Sequence, residues 1–309
     1  MASFIDFRNP PGSDSRADRL IRANSEPLWV RRILITTVLA FFIIFLGLPL
    51  AIVFQGALAN GVGVFLRTFT DHNILHAIEV TLLIALIAVP ANTLFGIAAA
   101  WAITRYSFRG RGLLLALIDL PLWVSPVIGG LIYVLLYGRR GYLGPWLQAH
   151  DIRIIFALPG MVMATTFVTF PFVARSLIPL MQAQGFEEEE AALTLGASGF
   201  QILRRITLPK IRWGLFYGVI LCNARAMGEF GAVSVVSAKI SGLTNTMPLE
   251  IEQLYDDYLF PSAFAVASAL SILALITLVL KTLAEWENRR QFEAGQQALL
   301  ESTIEKPAS

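Results

Sequence analysis

Glu187-Glu188-Glu189-Glu190-Ala191-Ala192-Leu193-Thr194-Leu195-Gly196-Ala197-Ser198-Gly199-Phe200-Gln201-Ile202-Leu203-Arg204-Arg205-Ile206-Thr207-Leu208-Pro209 is a polar, charged stretch enclosed between two long apolar runs. It reads as two short helices back to back. The four glutamates fill a first helical turn, where negative charge complements the helix dipole. Gly196 is placed to take the left-handed conformation that ends that helix. Ser198 and Gln201 have the S-x-x-Q spacing of a capping box, which starts the next one. Arg204 and Arg205 put cations at its C-terminal end, and Pro209 is expected to stop it.

Working outward, the flanking sequence is that of an all-α membrane protein. Hydrophobic residues make up 56% of the 309-residue chain and the mean hydropathy is +0.65, too apolar for an ordinary water-soluble domain. Roughly 20 apolar residues cross a bilayer as a helix. Six segments meet that length, at about 33–55, 80–103, 113–137, 155–179, 211–238 and 262–284. Pro49, Pro90, Pro121, Pro126 and Pro171 interrupt them. Such breaks survive in lipid where neighbouring helices or a lined cavity re-satisfy the freed backbone, so the pattern favours a packed bundle around a pathway. The basic residues set the direction. With an inside N-terminus, the inner segments hold Arg8, Arg16, Arg19, Arg22, Arg31, Arg32, Arg105, Arg109, Arg111, Arg175, Arg204, Arg205, Lys210, Arg212, Lys281, Arg289, Arg290 and Lys306. The outer ones hold Arg67, Arg139, Arg140, Arg153 and Lys239. Both termini and the 187–210 block then face the cytosol.

Three regions follow: a cytosolic tail over 1–32 with an interfacial helix across Arg16–Arg32, a six-span domain over 33–285, and a cytosolic tail over 286–309. Ala57-Leu58-Ala59 resembles a signal-peptidase site, but the apolar run before it exceeds the 7–15 residues of a signal peptide, so the first span reads as uncleaved. A phosphate-cradling loop needs Gly-Lys followed by Ser or Thr. The lysines are Lys210, Lys239, Lys281 and Lys306, and none follows a glycine. No H-E-x-x-H or G-x-S-x-G occurs either, so the chain carries no catalytic signature. Cys222 alone builds no disulfide framework. His72 and His76 stand four apart but lack further ligands, so no metal site is expected.

Inside the membrane the notable charges are Arg225, Glu229 and Asp119. Arg225 and Glu229 are one helical turn apart, close enough to pair. Intramembrane charges are costly and face a bundle interior. Two readings stay open for the pair: an element of an anion pathway, or an ion pair that fixes helix packing or a partner contact. Asp119 reads as structural, paired with an arginine such as Arg105.

Glu190, Ala191, Ala192, Gly196, Ile206, Leu208 and Pro209 together resemble the E-A-A, three residues, G, nine residues, I-x-L-P signature of the membrane subunits of bacterial ABC importers. Asn223-Ala224-Arg225-Ala226-Met227-Gly228-Glu229-Phe230-Gly231-Ala232-Val233-Ser234-Val235-Val236-Ser237 is similar to the sulfate/thiosulfate importer permeases. So are Leu82 to Pro90, Phe167 to Val173, Gly196 to Gly199 and Pro248-Leu249-x-Ile251-Glu252, in the W-type rather than the T-type form; Ala238 to Gly242 departs from it. The resemblance covers about 33–290. It implies the six-helix type I ABC importer transmembrane domain (MetI-like), with 187–210 docking on an ATPase. The implied partners are a homologous T-type permease, a pair of ABC ATPases that hold ATP and Mg, an extracytoplasmic sulfate-binding protein and the bilayer, with no nucleic acid and no cofactor in this chain. The implied location is the bacterial inner membrane. A molybdate or tungstate permease shares the shorter Gly228 to Ala232 run, and a stand-alone secondary anion transporter is the alternative of another class.

Overall fold

The computed structural model describes residues 28–185 and 187–304, with side chains at 29–185, 187–280 and 282–283. Among these residues there are helices and connecting turns and no strand. The expected interfacial helix over Arg16–Arg32 falls largely outside the described residues, as does the end of the C-terminal tail. The chain divides into two compact units, Met1–Gln55 and Gly56–Ser309.

The first unit is helical from α1 (Leu28–Phe42) through a π-turn at Ile43–Gly47 into α2 (Leu48–Leu58), which runs into the second unit. Trp29–Leu58 is one apolar span with no buried residues in its most apolar stretch. Such a surface is stable against lipid or another protein.

The second unit begins with α3 (Val62–Thr68) and the 34-residue α4 (His72–Arg105), whose Asp71 caps it by accepting from Asn73 N. Next come α5 (Arg111–Trp123), α6 (Pro126–Tyr137), α7 (Gly144–Ala149), α8 (Leu158–Thr169) and α9 (Pro171–Gln184). The charged block forms α10 (Glu187–Thr194) and α11 (Gly199–Ile202). After it come α12 (Leu208–Met227), α13 (Gly231–Val236), α14 (Met247–Asp256) and α15 (Phe260–Ile304).

Two of the six expected spans are not single helices. The third turns by 107° between α5 and α6. The residue before a proline is pushed out of the α region, and Ser125 before Pro126 is extended at φ −57°, ψ 133°. The fifth stops at Met227 and restarts at Gly231. Its first half carries Lys210, Arg212 and Arg225, so α12 lacks the apolarity of the other spans. The long apolar helices among the described residues are Trp29–Leu58, His72–Arg105, Leu158–Gln184 and Phe260–Leu280.

Pro209 does not end a helix, contrary to the expectation from its position. A π-turn at Leu203–Thr207, closed by Leu208 N donating to Leu203 O, leads straight into α12 with Pro209 in its first turn. A proline there forfeits no needed N–H. Pro49 follows its own π-turn at the same spacing, closed by Leu48 N to Ile43 O.

The core lies around α4, α9 and α12, where Ala100, Ile103, Val173, Leu177, Met181, Ile211 and Cys222 are buried together. Small residues let these backbones approach, the usual device where lipid supplies no hydrophobic drive. A Cβ on Gly96 would sit 2.6 Å from Val173 Cγ1 and 3.0 Å from Ala174 N. A second cluster joins Val80, Ile84, Met161, Ala164 and Val168 to α13. There α6 meets α13 so closely that a Cβ on Gly130 would lie 2.6 Å from Ala232 O. The two broken spans therefore pack on each other through their second halves.

Candidate functional site

The charged block folds from local rules. Glu187 to Glu190 occupy the first turn of α10. Gly196 takes φ +85°, with Ala197 N donating to Ala192 O and Gly196 N to Leu193 O. These are the two bonds of a Schellman motif. Ser198 and Gln201 form the full capping box: Ser198 N donates to Gln201 Oε1 (2.8 Å) and Gln201 N to Ser198 Oγ (3.4 Å).

Tertiary contacts then single out one of the four glutamates. Glu189 faces the last residue of α4: Arg105 Nε stands 2.6 Å from Oε2 and Nη2 donates to Oε1 at 2.8 Å, with both side chains 12% exposed. The Thr207 hydroxyl donates to the same Oε1 at 2.6 Å. Lys210 Nζ donates to the more exposed Glu188 at 2.8 Å. Gln184 Nε2 donates to Lys210 O at 3.2 Å. The block is thus strapped to the ends of α4, α9 and α12. Sequence reasoning placed Glu190 in the signature and overlooked Glu189, Arg105 and Thr207 as a unit. Four consecutive glutamates look alike until the partner across 84 residues is known. Glu190 and Ala191 are exposed. So are Leu193 (62%), Leu195 (88%) and Phe200 (71%), an apolar face on a charged segment. Gly196 is exposed at the turn. Ile206 and Leu208 are half-buried, and Pro209 is exposed beside them.

The intramembrane charges sit where the fifth span breaks. Arg225 Nη1 is 2.7 Å from Glu229 Oε2, with Glu229 fully buried and Arg225 35% exposed. The expected pairing exists, but the two do not share a helix, because α12 ends between them. Glu229 also engages the next helix, its Oε1 accepting from Ala232 N at 2.9 Å in the first turn of α13. One carboxylate neutralises an arginine and caps the half-helix that follows it. Asp119 does not pair with Arg105. It receives Arg175 in a fork, Nε to Oδ1 at 2.7 Å and Nη2 to Oδ2 at 3.1 Å, so it ties α5 to α9. Arg105 is committed to Glu189.

Sequence reasoning also missed Asn92, fully buried on α4. Its Nδ2 donates to Thr169 Oγ1 (2.7 Å) and Thr166 O (3.3 Å). Asn92, Thr166, Phe95, Tyr133, Phe167 and Phe170 line a cavity of about 410 Å³ between α4, α6 and α8. A larger cavity of about 820 Å³ lies beyond Tyr137 and is lined in part by Arg139, Arg140 and Arg153. Among the described residues no cluster of His, Cys, Asp and Glu has the arrangement of a metal site.

Comparison with known proteins agrees with this architecture. Residues 92–292 match the family described as binding-protein-dependent transport system inner membrane component. The chain is 49% identical over 280 residues to the sulfate transport system permease protein CysW of Escherichia coli (strain K12), covering 90% of this chain and 96% of that one. It is 35% identical over 242 residues to the CysT protein of the same strain, covering 78% and 87%. A solved bacterial alginate ABC transporter, crystallised with an alginate-bound periplasmic protein, shares the fold at a TM-score of 0.67 and 19% identity, covering 89% of this chain and 98% of that one. With a charged strap between broken and unbroken spans, and with these relatives along most of its length, the chain belongs to the binding-protein-dependent inner membrane components, the permease subunits of ABC transporters.

Proposed function

We propose that this chain is the W-type permease subunit of an ATP-driven sulfate/thiosulfate importer. One observation carries the reading: identity to CysW is 49% over 280 residues against 35% over 242 for CysT. Membership of the permease family sets aside the stand-alone secondary transporter. The closeness to CysW favours sulfate over molybdate.

In this reading a homologous T-type permease completes the pathway, and an ATPase pair docks on the exposed Glu190, Leu193, Leu195 and Phe200 face. ATP and Mg are held by the ATPases, and an extracytoplasmic binding protein selects the anion. The arginine asymmetry between the two ends supports a cytosolic 187–210 block and cytosolic termini. Closure of the ATPases on ATP draws the two coupling segments together and turns the pathway outward; hydrolysis resets it. Arg225 is held by a buried carboxylate, so it offers a passing dianion no unpaired charge to lodge on.

The test is uptake of labelled sulfate into liposomes holding the complete complex and its binding protein. ATP-dependent sulfate uptake that excess thiosulfate suppresses and molybdate leaves intact is the expected result. Suppression by molybdate at lower concentration than by sulfate itself would reassign the cargo.

A further inference from the structure

We infer that the Glu189–Arg105–Thr207 clasp is the joint through which movement of the docking segment reaches the opposite face of the membrane, with α4 as the rod. Glu189 is then a positioning residue for transport. This rests on the proposal that α10 and α11 seat an ATPase.

Three observations converge. The first is the division of labour among the glutamates. Glu187, Glu188 and Glu190 are exposed, while Glu189 turns inward at 12% exposure, accepts from Arg105 Nη2 and has Nε of the same guanidinium 2.6 Å from its other oxygen. A guanidinium that faces both oxygens of a carboxylate, with one donated hydrogen bond, constrains orientation as well as distance. The Thr207 hydroxyl adds a third point from the π-turn ahead of α12. One carboxylate therefore holds three elements in register, and a displacement of α10 must move Arg105 or break the pair.

The second is continuity. Of the helices strapped to the block, α12 ends at Gly228, while α8 and α9 continue through Phe170 as one 27-residue apolar helix, Leu158–Gln184. The longest of them is α4, whose last residue supplies the clasp arginine; it runs unbroken from the clasp to the far side, 34 residues or about 50 Å at 1.5 Å per residue. It is packed against α8, α9 and α12. Close-packed interiors yield little, so a packed helix transmits a push.

The third is what α4 grips at its other end. Thr81 Oγ1 accepts from Met247 N at 2.8 Å, the first residue of α14. His76 Nε2 lies 3.3 Å from Leu243 O. The segment before α14 is itself tied down by the buried Glu250, which accepts from Ser241 Oγ (2.8 and 2.7 Å) and Asn245 Nδ2 (2.7 Å). Movement at Arg105 thus reaches a knotted outer cap and is not lost in a loose loop.

The test uses the complete complex in nanodiscs, with Leu75→Cys as reporter in a Cys222→Ser background. Leu75 is 43% exposed near the outer end of α4. Its rate of modification by an impermeant maleimide is measured with and without ATP plus vanadate. The intact clasp gives a nucleotide-dependent rate. Glu189→Gln keeps the size and the acceptor for Thr207 but loses the charge; the rate then stays at its nucleotide-free value, and anion moved per ATP falls about tenfold, the effect of ~1.4 kcal/mol of lost coupling. Exchanging the pair, Glu189→Arg with Arg105→Glu, restores both. Arg109→Gln, exposed in the turn that follows α4, leaves both unchanged. Where Glu189→Gln fails to assemble, Arg105→Lys retains the charge without the guanidinium and is read in its place. A full nucleotide response in whichever of the two assembles, or an exchange that restores assembly but not the response, overturns the clasp. So does a wild-type complex whose outer α4 never responds. The maleimide readout needs no cargo: a wild-type complex that responds to nucleotide yet moves no sulfate refutes the substrate reading and leaves the clasp standing.

Discussion

Glu229 serves two neighbours at once, and substitutions can separate the two roles. Glu229→Gln keeps an oxygen for Ala232 N but leaves Arg225 facing a neutral group. Breaking one side of a buried pair costs about 3–5 kcal/mol. Arg225 is 35% exposed, which brings the expected loss to about 1–3 kcal/mol. Glu229→Ala also removes the α13 cap and costs about 1 kcal/mol more. Arg225→Met with Glu229→Gln should recover part of the loss, since such a pair is often replaceable as a unit. Thermal unfolding of the detergent-solubilised complex gives the order. A double variant as unstable as the two single losses summed would show that the residues act independently. At Gly196 the argument is backbone alone. Its φ is +85° and no atom stands within 4 Å of a built Cβ, so strain of about 1–3 kcal/mol falls on any β-branched replacement. Gly196→Val should keep normal membrane abundance while losing ATPase association or transport coupling; Gly196→Asn, which tolerates the left-handed region, should come closer to wild type. Wild-type transport by Gly196→Val at matched expression would remove the turn from the mechanism. The Gly196 turn and the Ser198–Gln201 box were legible in the sequence because each depends on neighbours a few residues away. The Glu189 and Asp119 partners were not, because Arg105 and Arg175 reach them across 84 and 56 residues.

At the scale of elements, prolines were read as interruptions, but their effect depends on where they fall. Pro90 lies inside an unbroken α4, Pro49 and Pro209 follow π-turns, and Pro126 starts a helix turned by 107° from the last. The meeting of α6 with α13 is the packing those breaks create. Gly130→Ala would drive a methyl to 2.6 Å from Ala232 O, a backbone atom that cannot rotate away. Overpacking of that kind costs about 1–3 kcal/mol. Gly112→Ala, with nothing within 4 Å, is the matched control and should be neutral or slightly stabilising, as expected for Gly to Ala in a helix. A melting temperature for Gly130→Ala equal to that of Gly112→Ala would refute the close approach. The apolar stretch 211–238 carried no sign of its break beyond Gly228 and Gly231. What splits it is a carboxylate that turns back to Ala232 and a half-helix that fits Gly130, and both are tertiary facts.

For the whole molecule, the described contacts put Arg105, Gln184 and residues 187–210 at one end of the second unit, and His76, Leu243 and Met247 at the other. If the arginine asymmetry orients the bundle, Ser198→Cys in a Cys222-free protein should resist an impermeant thiol reagent in intact cells. Tyr142→Cys, at a position 91% exposed, should react. Labelling of position 198 from outside would invert the orientation. The isolated chain should hydrolyse no ATP, since it lacks any phosphate-cradling loop; turnover surviving rigorous purification would contradict that. The sequence by itself determined the membrane class, the positions of the apolar segments, the local shape of 187–201 and the family. Those properties rest on composition, on 3.6-residue geometry and on motifs of fixed spacing, all of which act along the chain. Only the tertiary structure decided which glutamate of four turns inward, which arginine each acid receives, where two spans break and which prolines are absorbed. Those outcomes depend on what lies opposite a residue once helices distant in sequence have packed, and a buried charge or a missing Cβ has its meaning fixed by that neighbour.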